Sequence, residues 1–237
     1  MATEPLCDGR VLDALWEGVR LKEEAAASGD LEAMREAVHA LESIQQRFPQ
    51  ERAVIAKSLL QLADCLELAG NAERARVLLE RVAIEFSQDD REAAGLAMLE
   101  LSRIAAHEGR SVAEFQELWS RSLEALTEPQ QRMHAQIWYA QTLLQQGDTA
   151  GCQERLLRIL GELSGEHGPY LFLWAYDLLG LAHIAAGDRP GAERIVGNLK
   201  HALSDQIPEE MLTSSMTEAL LRSSPERSPP RGSLPVL

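Results

Sequence analysis

Five glycines, Gly29, Gly70, Gly109, Gly147 and Gly187, recur 38 to 41 residues apart along this chain. Each closes a stretch rich in Ala and Leu, and each precedes, directly or after a polar residue, another amphipathic stretch. The clearest copies read "LLQLADCLELAGNAERARVLLERV", "IWYAQTLLQQGDTAGCQERLLRIL" and "LLGLAHIAAGDRPGAERIVGNL". A single amphipathic hairpin cannot bury its apolar face alone. A repeat in this size range therefore predicts stacked helical hairpins that share one core and offer a long surface to other molecules.

Apolar Leu12, Leu15, Trp16, Val19 and Leu21 predict a first helix from Leu12 to Ser28. Asp30 can cap a second helix over Leu31–Arg47, which Pro49 ends. The same helix, Gly-turn, helix pattern repeats four more times. The fourth copy uses Gln130–Gln146 and Ala150–Leu163, and the fifth uses Pro169–Ala186 and Pro190–Leu203. The expected organisation is an N-terminal extension over 1–11 and a repeat domain over 12–203. A single capping helix over 204–222 and a disordered Pro/Ser-rich tail over 223–237 would follow. The fold class is all-α, an α-α superhelix of about five hairpins plus a C-terminal capping helix.

Charge narrows the partners. The formal net charge is −14, and residues 1–100 carry 20 acidic against 11 basic side chains. Nucleic acid and anionic lipid both require a clustered basic face, so neither is expected. The N-terminus lacks a secretory pattern and no apolar run is long enough for a membrane span, which makes a cytoplasmic location the expectation. Cys7, Cys65 and Cys152 share no metal-like spacing, and Cys65 and Cys152 fall on apolar helical faces, where a thiol acts as a small hydrophobe.

The repeats resemble the tetratricopeptide repeat. The second copy supplies Leu59, Leu62-Ala63, Leu66, Gly70-Asn71, Ala75, Leu79 and Val82 in that family's positions. The fourth supplies Tyr139-Ala140, Leu143, Gly147-Asp148, Cys152, Leu156 and Ile159, and the fifth Tyr176, Leu179-Gly180, His183, Gly187-Asp188, Ala192, Val196 and Leu199. Small residues at Ala63, Ala75, Ala140 and Gly180 allow the two helices of a hairpin to approach closely. The first and third copies fit less well, and the period exceeds the standard 34 residues. HEAT-like arrays share the period, but the Gly-Asp turn favours the tetratricopeptide pattern.

No catalytic constellation emerges, so an enzyme is not expected. The six histidines lack HxxxH or HExxH spacing, and phosphate-binding and nucleophile-elbow loops are missing from the sequence. His183 occupies a position where the family places an aromatic, so a packed imidazole is expected there. No cofactor or metal is expected.

The resemblance implies a groove lined by the first helix of each hairpin. It would comprise Leu60, Asp64, Leu99, Arg103, Ile137, Gln141, Leu144, Trp174, Asp177, Leu181 and Ile184, with Trp174 as its anchor. Family members that hold acidic chaperone tails use Lys, Arg and Asn at such places. Leu60, Asp64, Leu99, Ile137 and Gln141 provide no such clamp, so an apolar or basic protein segment is the expected partner. The resulting function is a non-catalytic protein–protein interaction scaffold. The alternative is a regulatory, ligand-sensing domain of a larger signalling assembly. A C-terminal helix folding back over the apolar strip competes with partner binding there.

Overall fold

The computed structural model describes residues 9–163 and 168–203, together with Thr217 and Leu220. Ten α-helices and no strands occur among the described residues. They are α1 (Gly9–Ser28), α2 (Leu31–Arg47), α3 (Arg52–Leu68), α4 (Ala72–Glu85), α5 (Arg91–His107), α6 (Val112–Ala125), α7 (Pro129–Gln145), α8 (Thr149–Glu162), α9 (Pro169–Ala185) and α10 (Arg189–Leu203). They pair as five hairpins, α1 with α2 through α9 with α10. The all-α expectation holds, and the second helix matches its expected bounds. The first begins three residues earlier than Leu12, and α7 and α8 each start and end one residue sooner than expected.

The recurrent glycines now have a physical reason. Gly29, Gly70, Gly109, Gly147 and Gly187 all adopt positive φ, from 68° to 84°. In hairpins two to five the next residue's N–H reaches back over the glycine: Asn71 to Leu66 O, Arg110 to Ala105 O, Asp148 to Leu143 O and Asp188 to His183 O, at 2.7–3.0 Å. This left-handed closure satisfies carbonyls that the helix end would leave unpaired. Three of those next residues then cap the second helix: Asn71 accepts from Arg74 N, Asp148 from Gly151 N and Asp188 from Gly191 N. The third hairpin departs by one residue, as its "EGRS" turn predicts. Ser111 takes the cap and forms a reciprocal box with Glu114.

The chain divides into two compact units, residues 1–127 and 128–237. The first holds α1–α6, with Ala37, Leu41, Ile44, Leu79, Val82 and Phe86 at its centre. Gly18 and Gly95 serve its close approaches: a Cβ at Gly18 would lie 2.6 Å from Leu41 Cδ2, and one at Gly95 would lie 3.0 Å from Ala125 Cβ. Arg52 ties the start of α3 to the end of α4, donating to Asp89 and to Glu85 O while lying over the Phe86 ring. Arg91 makes the corresponding bond to Glu124 O between α5 and α6. The second unit holds α7–α10, where Ile137, Ala140, Cys152, Leu156, Ile159, Leu179 and Leu199 are buried. Ala63, Ala75, Ala140 and Gly180 are all buried as expected.

Gly180 differs from that expectation in its neighbour. The atoms nearest a Cβ there belong to Thr217, not to α10. Residues 9–11 of the expected N-terminal extension belong to α1, while the rest of that extension, the tail and most of the expected capping helix lie outside the described residues. Thr217 and Leu220 are helical.

Candidate functional site: the face of the first helices

Within the first unit, α1, α3 and α5 pack side by side, and polar side chains bridge from one to the next. Lys22 of α1 donates to Asp64 Oδ2 at 2.6 Å and to Gln61 Oε1 at 2.7 Å, both on α3. Arg103 of α5 pairs with Glu67 of α3 and with Glu100 one turn away at 2.9 Å. Lys57 approaches Asp90, the N-cap of α5, at 3.5 Å. These bonds mark one face, and the row from Lys22 to Arg103 sets three carboxylates, Asp64, Glu67 and Glu100, against two cations.

Part of the row is accessible as well as connected. The Asp64 side chain is 50% exposed and that of Glu100 36%. Lys22, Arg103 and Glu67 are more covered, at 14%, 25% and 24%, so the part of the row that water and a partner reach is chiefly Asp64 and Glu100. Partial burial raises the Glu100 carboxyl above its usual range. Arg103 opposes that shift, while Glu67 and Asp64 add to it. Burial acts to lower the Arg103 pKa, but Glu100 and Glu67 outweigh it and hold the guanidinium more firmly charged.

In the second unit, α7 and α9 meet through aromatic rings. His134 and Trp174 lie with centroids 4.9 Å apart and planes inclined at 53°. The covered part of His134 loses water, and burial lowers its pKa, although an edge stays exposed. Trp174 and Ile184 are half-buried, so this strip presents apolar surface.

The residues expected to line the groove divide into three sets. Asp64 is exposed, and Leu60, Arg103, Gln141, Trp174 and Ile184 are half-buried and face water in part. Leu99, Ile137, Leu144 and Leu181 are buried in the cores, at 5%, 0%, 4% and 3% exposure, and present almost no surface to a partner. Asp177 is engaged within the chain: the Thr217 N–H donates to its Oδ1 at 3.0 Å, and the Thr217 hydroxyl donates to its backbone oxygen at 2.8 Å.

The correction has a geometric cause. At 3.6 residues per turn, the same face is reached by steps of three or four. On α5, three residues beyond the half-buried Leu96 lies buried Leu99, whereas four beyond it lies accessible Glu100; on α7, three and four beyond the exposed His134 lie buried Ile137 and half-buried Trp138. A step of three leaves out Gln61 and Glu100, and Lys22 lies on the first hairpin, to which the sequence pattern assigns no groove residue; the polar character of all three is the available signal.

The chemistry elsewhere is structural. Burial pushes the thiols of Cys65 and Cys152 up to about 11 and about 12, so both stay protonated at neutral pH. His183 is not packed in a core: its Nδ1 lies 2.8 Å from Asp188 Oδ2, bracing the fifth turn. Among the described residues no group of three His, Cys, Asp or Glu converges on a point where a metal could bind. Among them, too, no helix is long and apolar enough to cross a membrane.

Stacked hairpins with a bridged row of first helices define a helical-repeat protein. Residues 57–89, most of the second hairpin and the turn that follows, match the model of the tetratricopeptide repeat family. Solved structures extend the likeness to the fold as a whole. The nearly identical TPR-like repeats of a Podosopora anserina protein described as a kinesin light chain align with TM-score 0.61 at 22% identity, over 82% of this chain and 97% of that one. A single-substitution variant of those repeats aligns with TM-score 0.61 at 22% identity, over 80% and 94%. BtubC (BKLC) from P. vanneervenii aligns with TM-score 0.56 at 16% identity, over 85% and 95%. Comparison with curated proteins gives no significant match.

Proposed function

We propose that this protein is a non-catalytic interaction scaffold whose first-helix face holds a peptide or helix of a protein partner. The observation that carries the reading is the row Lys22, Gln61, Asp64, Glu67, Glu100 and Arg103: cross-bridged between helices, open to water at Asp64 and Glu100, and left with one excess negative charge. Such a surface favours segments that present Lys or Arg, because each added cation finds a carboxylate already oriented. Acidic chaperone tails would meet repulsion. The second unit, taken by itself, offers the half-buried Trp174 and Ile184, which suit an apolar segment of a protein partner. The alternative of a regulatory small-molecule sensor rests on repeat length alone.

Two fluorescent amphipathic helices with the same leucine face, one bearing Lys and the other Glu on its polar face, test the reading. Polarisation should show the Lys peptide binding about tenfold tighter at low salt, with the gap closing as salt screens it. Equal affinity, a preference for the Glu peptide, or no binding of either contradicts the proposal.

A further inference from the structure

We propose that the notch between Asp177 and Gly180 on α9 is a docking seat for a threonine-bearing helix, filled in this chain by its own Thr217. This inference does not depend on the scaffold reading above. Thr217 is 1% exposed, and both its backbone N–H and its hydroxyl donate to Asp177. The missing side chain of Gly180 makes the room. A Cβ there would lie 2.5 Å from Thr217 Cγ2 and 2.7 Å from its Oγ1, too close for both to remain. The seat therefore reads three properties at once: a free amide, a hydroxyl and a methyl group. Valine would lose the hydrogen bond to the Asp177 carbonyl, serine would leave the methyl space empty, and any longer side chain would not fit.

The spacing explains why the seat exists. Asp177 and Thr217 are 40 residues apart, the same separation as the His134–Trp174 pair that joins α7 to α9. Thr217 thus stands on α9 where a further first helix of the array would stand. Elsewhere in the fold such neighbours are joined through side chains, Lys22 to Asp64, Arg103 to Glu67 and His134 to Trp174, but here the join includes a carboxylate–amide bond to the backbone and a glycine notch. Hydrogen bonds of this kind exchange readily for equivalent ones. An outside helix that reaches this face must displace Thr217 and match its chemistry.

The full-length chain provides the test. Thr217→Arg should evict the chain's own segment, after which a labelled peptide of residues 209–222 should bind in trans with saturable polarisation. The wild-type chain should bind that peptide at least about tenfold more weakly, since its seat is filled. Adding Gly180→Ala to Thr217→Arg should abolish peptide binding. A folded Thr217→Arg chain that takes no peptide, or a wild-type chain that binds it equally well, overturns the proposal. Light scattering should report one copy, whereas a wild-type dimer dissociated by Thr217→Arg would mean that the seat is filled by a second copy and would overturn the proposal of self-occupancy.

Should Thr217→Arg fail to fold, Gly180→Ala alone carries the test, because alanine favours helix over glycine. Hydrogen exchange at the Thr217 amide should then rise about tenfold while α9 stays protected. Unchanged exchange at Thr217 would refute the seat.

Discussion

Ala75 is fully buried on α4, the helix that packs on α3. Replacing it with Leu forces extra volume into that hairpin and should cost about 1–3 kcal/mol. Denaturant unfolding measures this directly, and an unchanged midpoint would show that the position is not a close helix contact. Glu100 gives a prediction of a different kind. Its carboxyl titrates above the usual range because burial opposes its charge. Folding stability from this group is therefore present below its unfolded pKa and declines as pH rises through the folded value. For binding the sign is opposite: on acidification Glu100 loses its charge before ordinary carboxylates do. Affinity for the Lys peptide should fall early, and Glu100→Gln should remove that early fall. Residue type alone did not reveal this group, because a one-residue change of step rotates a helical position by about 100°. A step of three puts Leu99 on the surface and leaves out Glu100, although an apolar residue beside a charged one favours the opposite assignment.

At the scale of elements, the turns were the most legible feature, since Gly followed by Asp or Asn combines a left-handed closure with an N-cap. Gly147 has φ of +84° and nothing within 4 Å of a Cβ, so Gly147→Ala suffers backbone strain without a clash. That strain should cost roughly 1–2 kcal/mol, read as a lower thermal midpoint. The Ser111–Glu114 box holds the Glu114 carboxyl below its ordinary value, through the Ser111 hydroxyl first and its backbone N–H second. Such a group contributes stability above its ordinary pKa of 4.5 and loses it as pH falls through the lowered value. Ser111→Ala should cost about 1 kcal/mol near neutrality and flatten the acid limb of the stability curve. Equal acid sensitivity in variant and wild type would contradict this. The role of Gly180 was harder to read. Its small size was legible, but the neighbour that requires it is 37 residues later in sequence, beyond the reach of a hairpin pattern.

For the molecule as a whole, the period announced the hairpins, and the composition announced an acidic chain. Neither indicated that α1, α3 and α5 would be joined by a row of ion pairs. Such pairing depends on lateral neighbours about 40 residues away, and sequence spacing fixes only the average of that distance. The central claim is that this row, and not net charge alone, selects the partner. The decisive measurement is the affinity of the Lys and Glu peptides for two charge-matched variants. One carries Asp64→Lys with Glu100→Lys on the row, and the other carries Glu32→Lys with Glu36→Lys on exposed positions of α2. Both change net charge equally. The account predicts that the row variant reverses the preference toward the Glu peptide, while the α2 variant keeps the wild-type order. Equal responses from the two variants would contradict it.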